Sequence, residues 1–399
     1  MSRIDWTKKD TPTHLSVVVR ALLQLTIDIT NVASVAEPGC TQHVREYFLC
    51  LLHLMRDNAT ESPLEQLFGS ATEVDWFLSL AWNLAVFCSS VEDYADASFF
   101  WRSVPCFAAL LPTTFDLLNT QRQALTLAVA THLQSTGVVV EKTVEGEGAA
   151  ALSSVAGEAA LSSVTEASPT ATATSPPILS EDSLTLPSCL SLIHTCRNVL
   201  TQMETNHASS ASQTTLSETR CYLAQLETVC LVRMRSNTLM PRIKEWSSSH
   251  AFPAAFFVDL YHVMEQEELS DPAPKKECLR TALQMLMQQP TVAVASVCEV
   301  IHCLLSVCES REEEYHWVQQ LLQIVKTQGE SVKSAIRRAV RRRNDDHFAY
   351  FTVQMWNCGV YYQRLSNLQD AEKFMSVAIQ LTAFCQQSMQ VATGRFRDG

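Results

Sequence analysis

The chain has 399 residues, with 30 Lys and Arg against 42 Asp and Glu, a formal charge of −12 and a pI near 5.4. That balance disfavours direct nucleic-acid binding, which needs clustered Lys and Arg to displace counterions from a phosphate backbone. Only 10 residues are Gly while 47% are hydrophobic, which argues against turn-dense all-β folds and glycine-rich phosphate loops. Ala, Leu, Gln, Met and Glu are plentiful, and these lose least on entering a helix. The expected fold class is all-α.

Residues 13–35 and 41–56 carry apolar residues at three-and-four spacing and read as two helices around the turn signal Glu37-Pro38-Gly39. Three further helices are expected within 73–136, the third capped by Thr113 or Thr114. From 136 to 187 the composition shifts to Ala, Ser, Thr, Glu, Gly and Pro, with ALSSV twice and then TATATSPP. Such a segment buries too little apolar area to offset its backbone entropy and reads as a disordered insert. Its Ser175-Pro176 dipeptide could serve proline-directed phosphorylation, although a plain spacer is the expectation. Helical patterning returns at Ser188 and runs in pieces of 12 to 20 residues to the last group, DDHFAYFTVQMWNCGVYYQRLSNLQDAEKFMSVAIQLTAFCQQ. The expected organisation is helical repeats over 1–135, the insert over 136–187, helical repeats over 188–390 and a tail over 391–399, with no strand pair.

The 14 Cys are spread through apolar runs such as FLCLLHLM and VCEVIHCLLSVC, with no CxxC. Free Cys behaves as a small hydrophobe, and this usage fits a reducing compartment. The opening MSRIDWTKKDTPTH lacks the apolar core of a signal peptide. No apolar run approaches the roughly 18 to 20 residues that span a bilayer. An intracellular chain without a membrane partner is expected.

Two stretches match at a constant offset of 274: Trp82, Asn83, Val86, Asp96, Ala97 and Phe100 recur as Trp356, Asn357, Val360, Asp370, Ala371 and Phe374. Both fit the tetratricopeptide pattern, a helix-turn-helix unit of about 34 residues. In that register Gly359 takes the small position of the first helix and Tyr362 the aromatic one. Ala371 is the small residue of the second helix, Met375 the bulky one and Ala378 the next small one. The first copy substitutes Ala85, Cys88, Ala97, Trp101 and Val104. Small residues at 85/359 and 97/371 let the helices approach; large ones at 101/375 fill the next groove. Trp82 and Trp356 are expected to fill the core. The fold expected is an α-solenoid of antiparallel helix pairs.

The segment EVDWFLSLAWNLAV, the aromatic-rich helix after it, and QRQALTLAVATHLQ resemble the C-terminal half of a meiotic family. That family comprises testis-expressed protein eleven and its yeast and plant relatives, the Zip-four or Spo-twenty-two group. Its members carry WF-x-x-x-AWNLAV and, near their end, WN-x-GV followed by AE-x-W. Here the second segment is Trp356, Asn357, Gly359, Val360, Ala371 and Glu372. The resemblance covers about residues 70 to 390. The departures are Phe374-Met375, where the family shows an aromatic or Trp-Cys, and the 136–187 insert. Members are longer, with further repeats ahead of the matching region, so this chain reads as a short relative or an incomplete form. The resemblance implies a non-enzymatic scaffold in meiotic crossover formation and chromosome synapsis, in the nucleus. Its implied partners are crossover and chromosome-axis proteins, with no cofactor and no small-molecule substrate. The alternative is a general tetratricopeptide adaptor, in a chaperone or ubiquitin assembly, in the cytosol.

Asn83 and Asn357 are candidates for contact with a partner's backbone. The competing structural reading, in which each Asn caps or bridges neighbouring helices, is the expectation. Arg337, Arg338, Arg341, Arg342 and Arg343 form a basic run that reads either as nuclear import or an acidic-partner patch, or as a solvated helix end. Cys298, His302, Cys303 and Cys308 lack the paired set that zinc requires and read as core. His194 with Cys196, and His250 with His262, show no nucleophile-base arrangement.

Overall fold

Four times among the described residues a helix ends in a left-handed residue that is not glycine: Glu92 (φ 61), Arg235 (φ 50), Glu268 (φ 52) and Ser366 (φ 60). Each time the next residue donates its N–H to the carbonyl five positions back. These bonds are Asp93 to Cys88 (2.9 Å), Ser236 to Leu231 (2.9 Å), Leu269 to Met264 (3.0 Å) and Asn367 to Tyr362 (3.0 Å). This closure satisfies carbonyls left open at a helix end and reverses the chain within a few residues. A non-glycine residue in this conformation costs roughly 1–2 kcal/mol; at Glu92, Glu268 and Ser366 the packing of the two flanking helices offsets it.

The computed structural model describes residues 20, 23, 40–57, 67–136, 184–206, 210–249, 251–289, 293–327 and 345–395. The helix expected over 13–35, the insert from 137 to 183, His250 and the arginine run 337–343 lie outside these residues. The described residues form thirteen helices and no strand. They are α1 (Cys40–Asp57), α2 (Ala71–Ser90), α3 (Tyr94–Ala108), α4 (Phe115–Ser135), α5 (Leu186–Asn206), α6 (Ser210–Arg233) and α7 (Leu239–Ser248). Then follow α8 (Ala254–Gln266), α9 (Pro272–Gln288), α10 (Val294–Val307), α11 (Arg311–Thr327), α12 (Asp345–Arg364) and α13 (Leu368–Arg395). The fold is all-α, with adjacent helices packed in pairs as in an α-solenoid.

The chain divides into two compact units, Met1–Leu216 and Ser217–Gly399. The division falls within α6 rather than at the low-complexity stretch, because α4 and α5 on either side of that stretch pack directly on each other. Three expected limits also move. Thr136 caps the end of α4, and the Thr185 hydroxyl accepts the Ser188 N–H at 3.4 Å to open α5. Pro187 therefore sits in the first turn of a helix, where its missing N–H has no intrahelical partner to lose. At the other end α13 continues to Arg395, where a tail was expected from 391.

In the first unit α2 packs on α3, α3 on α4, and α1 on α3. Ser70 and Thr114 cap α2 and α4 by accepting the N–H of Glu73 and Leu117. The core is aromatic: Phe48 of α1 meets Phe77, Phe100 and Phe107 edge-on at 6.4, 5.4 and 5.9 Å. Burial of such side chains contributes about 1.5–3 kcal/mol each.

In the second unit the packed neighbours are α8 with α9, α9 with α7 and α10, and α10 with α11 and α12. The pair α12–α13 closes the series, with α13 also resting on α11. Arg233 grips Glu267 through two bonds of 2.9 and 3.1 Å, joining the end of α6 to the turn after α8.

The repeated stretches occupy α2–α3 and α12–α13, and their backbones correspond at the same offset. Asp93 caps α3 by accepting the Asp96 N–H at 3.2 Å; Asn367 accepts the Asp370 N–H at 3.3 Å. Ala85, Ala97, Ala371 and Ala378 are buried where small residues were expected. The helices of the second pair come closest at Gly359. A Cβ there would lie 2.5 Å from Met375 Cγ and 3.2 Å from the Ala371 carbonyl oxygen. Tyr362 stacks on Phe374 at 5.3 Å.

Replacing Gly359 by Leu should lower stability by about 1–3 kcal/mol, because an overfilled contact forces the helices apart. Ala should cost far less: its roughly 0.5–1 kcal/mol advantage over Gly within a helix opposes the crowding, and the flexible Met375 can swing away. Thermal and denaturant melts check both; an unchanged melting temperature for Gly359→Leu would refute the register.

Candidate interaction surface

Among the described residues, each helix of the last pair carries two sets of apolar side chains, of which one is buried and the other exposed. On α12 the buried face is Phe348, Phe351, Met355 and Cys358; on α13 it is Phe374, Val377 and Leu381. On the opposite side stand Val353 (58% exposed), Trp356 (47%), Leu368 (70%) and Ile379 (62%), with Leu365 at the turn. Two other exposed aromatics on α12 already have partners. Tyr350 stacks on His302 at 4.3 Å, and the Arg311 guanidinium lies 3.3 Å over the Tyr361 ring. By helical spacing these exposed residues lie on the side of α12 and α13 opposite their buried faces, and the packing of the two helices sets the two rows side by side. Isolated exposed hydrophobics are ordinary, but a grouped set marks a binding surface.

The two Trp-Asn pairs differ in surroundings despite their identical sequence. Trp82 is half-buried and meets Trp101 edge-on at 4.8 Å. Trp101, four residues beyond Ala97, is wholly buried. At the equivalent position the second copy has Met375, which leans over Gly359 instead. Trp356 therefore has no ring to close against and stands exposed, which corrects the expectation that it fills the core. Asn83 and Asn357 are both exposed, and neither amide has a hydrogen-bond partner among the described residues. Both lie inside their helices and are exposed, so the capping or bridging role expected of them is not what they do. Asn357 instead borders the exposed patch, one residue from Trp356.

The residues weighed for metal or nucleophilic chemistry do not converge. Cys298 is buried in α10, with Cys303 and Cys308 half-buried nearby. Burial pushes the Cys298 thiol up to about 12 and Cys303 to about 11, so both are protonated at neutral pH and poor nucleophiles. His302 faces His347 with Nδ1 atoms 3.2 Å apart; burial first, then His347, lowers its pKa. Among the described residues no three His, Cys, Asp or Glu side chains are placed to hold a metal ion. Cys196 is buried against Thr126 at 3.5 Å while His194 points to solvent, so the two do not meet. His262 is exposed beside Tyr261.

A concavity of about 310 Å³ lies between α11 and α13, lined by Tyr315, Leu322, Lys326, Lys373 and Val377 among others. Its cations are engaged: Lys373 bonds Glu312 and Lys326 bonds the Gln380 side-chain oxygen, each at 2.6 Å. No described helix is long and apolar enough to cross a membrane.

The uncovered face was not anticipated, although its signal is in the sequence. Val353, Trp356 and Val360 add a second apolar stripe to a helix whose core stripe is already complete. A helix apolar on both sides either lies inside a structure or meets a partner. Comparison with family models, with curated proteins and with solved structures finds no match to this chain.

Replacing Trp101 by Ala should cost about 3–5 kcal/mol, the range for a large core aromatic. Replacing Trp356 by Ala should change stability by no more than about 0.5 kcal/mol, as for a surface site. Equal losses in denaturant melts of the two variants would contradict the different surroundings described here.

Proposed function

We propose that the chain is a non-enzymatic interaction scaffold that engages a protein partner through the outer face of α12–α13. The observation that carries this is the patch of Val353, Trp356, Leu368 and Ile379, aligned on one side of two antiparallel helices. Helical pairs are stiff platforms, and an apolar stripe across two helices suits another helix laid along it. Protonated, buried thiols and the scattered histidines favour binding over chemistry. The setting proposed is meiotic crossover formation and chromosome synapsis in the nucleus. Its support is the resemblance of AWNLAV and of Trp356-Asn357-x-Gly359-Val360 to the meiotic family. Both segments fall on the first helix of a helix pair, one in each compact unit.

The test is imaging of the tagged chain at its native locus, in germ-line and somatic cells. The expected result is foci on chromosomes in meiotic prophase that disperse when Ile379 is changed to Glu. Uniform cytosolic signal in all tissues would overturn the meiotic reading. Foci untouched by Ile379→Glu would remove the role of this face.

A further inference from the structure

The outer face of α12–α13 has an internal correspondence that points to its occupant. From Arg364, the last residue of α12, Val353 is eleven residues back; from Leu368, the first of α13, Ile379 is eleven residues on. At about 1.5 Å per residue both lie roughly 16 Å from the turn. Trp356 is eight residues back and Met375 seven residues on, so they too lie at matching depths. The patch carries one exposed cation and one exposed anion in phase with its apolar residues. Arg364 is eleven residues past Val353, Glu372 four past Leu368, and neither has an ion-pair partner among the described residues.

A two-fold axis parallel to these helices, placed between two such faces, sets α12 of one copy on α13 of the other. Val353 then meets Ile379 of the second copy, Trp356 meets Met375, and Arg364 comes within reach of Glu372. Each contact occurs twice, as an isologous interface requires. A strongly acidic or basic partner would leave one of the two charges facing its like, whereas a second copy matches both. We infer that the outer face of α12–α13 pairs with the same face of a second copy of this chain. The inference rests on reading this face as a docking surface and names its occupant.

The experiment is sedimentation and light scattering of the purified full chain across a concentration series. The wild type should be dimeric, with a melting temperature that rises with concentration; Ile379→Glu should be monomeric and melt, at every concentration, where the dilute wild type does. Arg364→Glu and Glu372→Arg should each weaken the dimer about tenfold or more, since each sets like charges opposite one another. Mixed together, these two variants should form a heterodimer, because each supplies the charge the other lacks. A wild type that is monomeric at every concentration would overturn the inference, as would a dimer that survives Ile379→Glu. Failure of the two charge variants to pair would overturn the two-fold arrangement. A monomeric wild type whose chromosomal foci are still lost with Ile379→Glu would leave the docking reading standing and exclude only the second copy.

Discussion

The close approach of paired helices at a small residue is the constraint on which the repeat depends. At Gly359 the second helix comes so near that even a Cβ would strike the Met375 side chain and crowd the Ala371 carbonyl. That proximity allows the turn at Leu365–Asn367 to be short, and the short turn requires Ser366 to adopt a left-handed conformation it does not favour. Packing along the pair, with Tyr362 stacked on Phe374, supplies the compensation. The same logic holds at α2–α3, where Ala85 and Ala97 are buried against each other's helices and Glu92 takes the strained position.

One substitution separates the two copies. Trp101 gives the first pair an aromatic edge that partly covers Trp82. Met375 is flexible and fills the space above Gly359, so Trp356 remains outside. The partial cover of one tryptophan and the exposure of the other thus follow from the residue nineteen positions further on. An exposed Trp beside Val353 and Ile379 is costly to leave in water, which is why this face reads as an interface. Buried tryptophans and their apolar neighbours commonly anchor such interfaces.

Much of the fold was legible because helix pairing depends on spacing, and spacing survives substitution. The offset of 274, the small positions at 85/359 and 97/371, and the caps at Asp93 and Asn367 all belong to that kind. Other features were not legible, for identifiable reasons. The left-handed turns carry Glu, Arg, Glu and Ser rather than the Gly that would announce them. Pro187 looked like a helix boundary but occupies a first turn. The fate of Trp356 depended on a residue across the pair, beyond the reach of any local pattern. Its pairing of exposed stripes on α12 and α13 became visible only when the two helices were placed side by side.

The central claim is that Trp356, Leu368 and Ile379 are open in the isolated chain and covered in its working state. Hydroxyl-radical footprinting of the full chain at increasing concentration measures this residue by residue, with buried Trp101 as the internal reference. The account predicts strong oxidation of all three at high dilution, falling together as concentration rises, with Trp101 unmodified throughout. Protection of Trp356 at the lowest concentration, or reactivity that never falls, would contradict it.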